Sequence, residues 1–112
     1  MIKLVLSDMD NTLVPFGMSF VSERTMEAIH EAMSAGVRFG PATGRDYYEL
    51  LRFFRMDESC IRTGILSNGK RVRVDGAPVR TVLIPHDALV RIDQALRPEK
   101  GMFLVCYPED TN

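Results

Sequence analysis

Two aspartates, Asp8 and Asp10, close an apolar run near the start of the chain and are followed by Asn11, Thr12 and Leu13. On an extended segment, side chains two apart point the same way, so both carboxylates can face one point while Met9 faces elsewhere. One can attack phosphorus and carry the phosphoryl group as an aspartyl phosphate. The other can protonate the leaving oxygen and then take the proton of an attacking water. Like charges this close resist ionising together, a cost that a bound cation or a proton on one of them removes. Oxygen donors in a compact anionic site favour Mg²⁺, which also neutralises a phosphate. Asp8 and Asp10 are therefore read as a candidate metal and phosphate site. Asn11 suits a sharp turn, because Asn tolerates left-handed dihedrals better than most residues. Thr43 can add a hydroxyl donor to a phosphoryl oxygen. The plain alternative for the pair is a solvated acidic turn after a strand. A calcium loop fails on identity, with Leu13 where Gly is required and Ser19 where Glu is required. A P-loop fails because no Gly-x-x-x-x-Gly-Lys occurs.

These residues need a sheet to position them. Leu4, Val5 and Leu6 read as a strand buried on both faces, the habit of a parallel sheet covered by helices. In such sheets ligands sit beyond the carboxyl ends of the strands, where Asp8 falls. After a loop with Pro15 and Gly17, Ser22 is an N-cap, and Met26, Ile29, Met33 and Val37 recur at helical spacing. His30 lies beside that stripe and is given no role. Val37 to Ala42 is expected as a second strand parallel to the first, with Pro41 counting against a full ladder. It ends in Thr43-Gly44-Arg45. A helix with Tyr47, Leu50, Leu51 and Phe54 on its apolar face follows, so its N-terminus should lie beside the first site. Thr63 to Ser67 reads as a third strand and Asn68-Gly69 as a turn. Arg71 to Val74 is a half-exposed strand, Asp75-Gly76 a hairpin turn, and Val79 to Ile84 the return. Asp87 to Leu96 is an amphipathic helix, and Met102 to Tyr107 is expected as a last strand.

The 112 residues suit one modest domain, and a hydrophobic share of 46% permits a core. A net charge of −1 gives no broad attraction to nucleic acid. Lys70, Arg71, Arg73 and Arg80 make a small basic hairpin, read as a solvated strand face rather than a nucleic-acid site. Cys60 and Cys106 are too few for a disulfide framework and lack the local spacing of a zinc site, so a reducing cytoplasm is the expected compartment. The apolar start is too short for a membrane span, and no membrane partner is expected.

Asp8-Met9-Asp10-Asn11-Thr12-Leu13 resembles the first motif of the haloacid dehalogenase (HAD) superfamily of phosphatases, Asp-x-Asp-x-Thr-Leu or Val on the first strand. Thr43-Gly44-Arg45 resembles the second motif in the form of the Cof-type (subfamily IIB) branch, and Ser67-Asn68-Gly69 the Ser-Asn-Gly that this branch carries after its third strand. The resemblance runs along essentially the whole chain. It implies an α/β fold: the amino-terminal part of a Rossmann-like parallel-sheet core with a β-hairpin over residues 1–84, and the start of an α/β cap over 85–112. It implies Asp8 as nucleophile, Asp10 as general acid/base, and Mg²⁺ held by the Asp8 carboxylate and the Asp10 backbone carbonyl. Thr43 would hold the phosphoryl group with backbone N–H groups near Met9 and Gly44, and Asn11 joins these phosphate-binding positions. Arg45 would contact a substrate phosphate or carboxylate, or pair with a nearby acid. Asn68 would line the site or only make the turn.

The chain departs from the branch in one respect. Members are more than twice this long and carry, after the cap, a Lys that steadies the phosphoryl oxygens and a Gly-Asp-x-x-x-Asp that completes the Mg²⁺ shell. Neither is present, and Lys3, Lys70 and Lys100 offer no good substitute. The expectation is an amino-terminal fragment, inactive or nearly so by itself, of a Mg²⁺-dependent phosphatase acting on a small phosphorylated metabolite such as a sugar phosphate or phosphorylated cofactor. Self-association through an exposed strand edge, in particular Met102 to Tyr107, is expected as a hazard. The rival readings are a non-catalytic phosphate- or metal-binding module, and a receiver-like phospho-acceptor domain. The latter wants an acceptor Asp where Ser67-Asn68 stands.

Overall fold

The computed structural model describes residues 1–107. Contacts divide the chain into two units, Met1–Val82 and Leu83–Asn112. In the first unit β1 (Leu4–Ser7), α1 (Glu23–Ser34) and β2 (Arg38–Pro41) follow in order, and β1 pairs with β2 in parallel from Leu4 opposite Arg38 to Ser7 opposite Pro41. Pro41 is tolerated because it is the last residue of its strand; the next amide, of Ala42, donates to the Ser7 carbonyl at 2.8 Å. Ser22 caps α1 as its type predicts, its hydroxyl accepting the Thr25 N–H at 3.1 Å. Helix α2 (Tyr47–Phe53) buries Leu50 and Leu51 and delivers Phe54 to the core, where its ring meets Phe39 edge-on with centroids 6.1 Å apart. A 3₁₀ turn (Glu58–Ile61) then leads to β3 (Gly64–Leu66), which touches β2 through a parallel bridge from Ala42 to Ile65.

The core of this unit is Met9, Val14, Val21, Met26, Ile29, Phe39, Leu50, Leu51, Phe54, Cys60, Ile61 and Leu66. It lies between the α1 side of the chain and the segment from α2 to β3. The segments of β2 and β3 approach so closely that a Cβ on Gly40 would stand 1.8 Å from the Thr63 carbonyl oxygen, which explains a glycine inside a strand.

The hairpin is β4 (Arg71–Val74) and β5 (Ala77–Thr81), antiparallel, with β4 also pairing with β3. Asp75 and Gly76 both have positive φ, so the loop is two residues long and sets Ala77 opposite Val74. The return strand therefore begins at Ala77 and ends at Thr81, earlier at both ends than the expected Val79 to Ile84. Arg38 grips the same turn, its guanidinium donating to both Asp75 oxygens at 2.9 Å. The hairpin's basic residues are partly committed. Arg71 lies 3.6 Å from Asp46, and Arg73 sits over the Tyr47 ring at 5.0 Å.

Two further expectations fail. Strand β1 is not buried on both faces: Leu4, Val5 and Leu6 are 46%, 40% and 40% exposed. Among the described residues it has one strand neighbour, β2, and too little is packed over it to hide its side chains. Met102 to Tyr107 is irregular rather than a strand, because it has no strand to pair with among the described residues. Among the described residues β1 and β5 each have a single strand neighbour, so each has one edge without a strand partner.

The second unit carries α3 (His86–Leu96) over the expected amphipathic stretch, with Arg97 paired to Asp93 at 2.8 Å; none of its helical residues is buried. No helix among the described residues is long and apolar enough to cross a membrane.

The Gly40 contact yields a prediction. Gly40→Ala forces a methyl against backbone that cannot yield, so unfolding in urea should show a loss of at least ~2 kcal/mol. A change of only a few tenths would mean that β2 and the segment before β3 do not approach this closely.

Candidate functional site

The first acidic stretch is built around a buried Met9. Its side chain is fully enclosed, while Asp8 and Asp10 on either side of it are exposed. The alternation expected of an extended segment is thus realised at the strand's end. The chain then turns at once. The Met9 carbonyl accepts the amides of Thr12, Leu13 and Val14 at 3.3, 3.1 and 2.9 Å, and Asn11 donates to the Val14 carbonyl at 2.9 Å. The Asp10 carbonyl takes none of these bonds. Asn11 adopts φ 59°, the left-handed conformation its type suggested. Thr12 donates its hydroxyl to Asp8 Oδ2 at 3.1 Å.

The loop after β2 comes to the same place through Arg45. Its Nε and an Nη donate to the two oxygens of Asp10 at 3.0 and 2.7 Å, a bidentate pair. The other Nη reaches Glu49 at 2.7 Å, and the guanidinium lies 4.5 Å from the centroid of the Phe53 ring. The hydrogen bond from Arg45, with its charge, holds the Asp10 carboxyl below the usual carboxylate range; the same bond raises the Arg45 guanidinium. Of the two roles open to Arg45, this structure displays pairing with an acid. Glu49 was not foreseen as a partner, although its position four residues on in a helix is a readable signal.

Thr43 accepts the Arg45 amide at its hydroxyl oxygen, 3.1 Å away, which leaves the hydroxyl proton free to be donated elsewhere. Three backbone bonds lace this loop to the one after β3: Thr43 N–H to Ile65 O at 2.9 Å, Asn68 N–H to Thr43 O at 3.1 Å, and Ser67 N–H to Arg45 O at 3.0 Å. Ser67, Asn68 and Gly69 all have positive φ. The Asn68 amide lies over Gly44, where a Cβ would meet its Oδ1 at 2.8 Å. Asn68 thus makes the turn and also stands against the second loop. Asp46, buried, accepts the Ser67 hydroxyl at 3.2 Å and stands near Arg71.

The donor set at the acid pair is all oxygen: the Asp8 carboxylate, with the Asp10 carbonyl left out of the turn's bonds. Such a set fits a hard cation of the Mg²⁺ kind, which keeps several waters and needs few protein ligands.

Comparison with known proteins shows the family. A family description, haloacid dehalogenase-like hydrolase, matches residues 5–111. The chain belongs to the haloacid dehalogenase-like hydrolases. Within the HAD superfamily it is 32% identical over 100 residues to 5-amino-6-(5-phospho-D-ribitylamino)uracil phosphatase YbjI of Escherichia coli K12. That match covers 88% of this chain and 36% of the relative, so the chain spans about a third of its length. Among solved structures, the HAD phosphatase BT1666 of Bacteroides thetaiotaomicron is similar with a TM-score of 0.65 and 28% identity, over 88% of this chain and 36% of that one. The HAD subclass IIB sugar phosphatase BT4131 shares the fold with a TM-score of 0.60 at 24% identity, over 87% and 38% of the two chains.

The Arg45 clamp can be tested by titration. In Arg45→Ala the Asp10 carboxyl should titrate at a higher pH than in the wild type, as followed by carboxylate carbon chemical shifts. Because its folded value is depressed, the pairing contributes above the ordinary carboxylate range and is lost as pH falls through the lowered value. An unchanged Asp10 midpoint in the variant would contradict the bidentate pair.

Proposed function

We propose that this chain supplies the nucleophile and proton partner of a Mg²⁺-dependent phosphate-monoester hydrolase acting on a small phosphorylated metabolite, a sugar phosphate or a phosphorylated cofactor. The observation that carries the reading is the pair of exposed carboxylates either side of buried Met9, with the Thr43–Arg45 loop joined to one of them. The relative from E. coli is a phosphatase of a phosphoribityl compound, and BT4131 is a sugar phosphatase, which supports this substrate class.

In this reading an Asp8 oxygen attacks phosphorus, and the P–O ester bond breaks as Asp10 gives its proton to the leaving oxygen. Asp10, now ionised, takes a proton from water; that water attacks the aspartyl phosphate, releasing inorganic phosphate and restoring Asp8. Asp8 and the Asp10 carbonyl would hold Mg²⁺, which when bound offsets the charge of the phosphoryl oxygens. Thr43 donates its free hydroxyl proton to a phosphoryl oxygen, and backbone N–H groups near Met9 and Gly44 add to it, with Asn11 shaping the turn that presents them. Asn68, against Gly44, borders the same space.

The Arg45 pair sets a condition on this chemistry. Asp10 must carry a proton to act as the acid, and Arg45 favours its ionised form. Arg45 therefore leaves Asp10 when substrate binds and turns to a substrate anion. Among the described residues Arg45 is the cation hydrogen-bonded to the acid pair, and it is bound to Asp10 rather than aimed at a phosphoryl group. The Lys and the Gly-Asp-x-x-x-Asp carried by the branch it resembles are not among these 112 residues, and on that ground the chain alone should turn over slowly or not at all. A reducing cytoplasm is the compartment proposed, since two cysteines give no disulfide framework, and self-association would run along an unpaired strand edge, that of β1 or β5.

The experiment assays the wild-type protein with Mg²⁺ and an aryl phosphate, as the 112-residue chain and as any longer form of it. Asp8→Asn should lower kcat by about 10³-fold or more, with the fold intact by circular dichroism. Near-normal hydrolysis by that variant would sink the nucleophile assignment. If wild type binds phosphate or Mg²⁺ stoichiometrically and never turns over, the non-catalytic binding module is the correct reading.

A further inference from the structure

Three side chains outside the acid cluster meet where α1 packs near the turn that follows α2. A ring nitrogen of His30, a carboxylate oxygen of Asp57 and the Sγ of Cys60 all lie within 4.8 Å of one another. They come from two separate parts of the sequence, and nothing in the proposed phosphatase chemistry uses them. His30 Nε2 stands 2.7 Å from Asp57 Oδ2. The other Asp57 oxygen accepts the Ser59 amide at 3.0 Å and the Ser59 hydroxyl at 2.6 Å, so the carboxylate is fixed with one oxygen turned to His30. Cys60 is wholly enclosed and held by the core. The His30 and Asp57 side chains are 48% and 31% exposed, which leaves a way in from solvent. His30 also lines an open cleft with Glu27 and Glu31, whose charge draws cations toward it.

We propose that His30, Asp57 and Cys60 form a site for a borderline-soft divalent cation, with Zn²⁺ the best match. The set of one nitrogen, one oxygen and one sulfur suits Zn²⁺, whereas Mg²⁺ and Ca²⁺ take oxygen donors. Three protein ligands leave one tetrahedral position for water. At ordinary Zn–N, Zn–O and Zn–S lengths, tetrahedral ligand atoms lie about 3.3–3.7 Å apart. The His30–Asp57 contact must therefore open by somewhat more than half an ångström. His30 is the exposed helical member and can make the movement, while Asp57 stays braced by Ser59. Binding releases the thiol proton to solvent and leaves sulfur as the thiolate ligand. The bound ion ties α1 to the turn before β3 and stabilises the folded chain.

The test titrates the chelator-treated 112-residue chain with Co²⁺ as a spectroscopic substitute for Zn²⁺. One equivalent should produce a thiolate-to-cobalt charge-transfer band that Zn²⁺ abolishes by displacement and excess Mg²⁺ does not. His30→Ala, at an exposed helix position, should weaken binding beyond the roughly 10–100-fold typical of losing a supporting outer contact. Cys60→Ala should remove the band, while Cys106→Ser and Asp8→Asn should keep it, separating this site from the exposed cysteine and from the acid pair. Absence of the band in the wild-type chain, its survival in His30→Ala at unchanged affinity, or its loss in Cys106→Ser would overturn the proposal.

Discussion

The enclosure of Met9 is the constraint on which the acidic site depends. Its side chain is fully buried and its carbonyl gathers the amides of Thr12, Leu13 and Val14. An apolar anchor between two aspartates does two things together. It drives both carboxylates outward, because alternation leaves them no other face. It also pays their positioning from the hydrophobic core rather than from the acids, whose mutual repulsion works against closeness. The left-handed Asn11 follows from the same demand, since the chain must reverse immediately if Val14 is also to be buried.

From that anchor the order spreads through backbone bonds more than through side chains. Ala42 is bound to Ser7, Thr43 to Ile65, Asn68 to Thr43 and Ser67 to Arg45. The loops that leave β2 and β3 are thus joined main chain to main chain, with Ala42 tied to the last residue of β1, at the carboxyl ends of the strands where ligands sit in a sheet of this class. Such lacing works only at short range. Gly40 admits the Thr63 carbonyl, and Gly44 admits the Asn68 amide, each at a distance that a Cβ would occupy. A run of three left-handed residues at Ser67–Gly69 belongs to the same region, and backbone of this kind persists only where the surroundings hold it.

What the sequence made legible follows physical range. Local signals survived into the structure: the Ser22 cap, the stripe of Met26 and Ile29, the Asn11 turn and the two-residue Asp75-Gly76 hairpin each depend on neighbours a few residues away. The apolar run Leu4 to Leu6 predicts burial on both faces, but burial is a property of what packs on top, and here these side chains stay open. Met102 to Tyr107 has strand-like composition and no pairing strand among the described residues, so propensity without a partner gave no strand. At the site, the residue types were readable, whereas the Arg45 pairing with Asp10 across 35 positions was one of two open options. The His30, Asp57 and Cys60 cluster was invisible, since His30 stands 27 positions from Asp57 and the search for ligands by spacing sees only neighbours.

The state of Arg45 follows from the same balance of forces. Its pair with Asp10 is well formed, yet the Asp10 side chain is 60% exposed, and ion pairs in such surroundings add little to stability. The pair is thus strong enough to orient both groups and weak enough to be exchanged. A guanidinium shared between Asp10 and Glu49 and resting on Phe53 keeps a fixed plane even when one acid is released. A phosphate ester offers that plane a dianion with matching oxygens, a better partner than one carboxylate in water. Exchange would restore to Asp10 the ability to hold a proton at the moment the leaving oxygen needs one. In the proposed reading, the bond to Asp10 and a bond to a substrate phosphate are then alternative uses of one side chain.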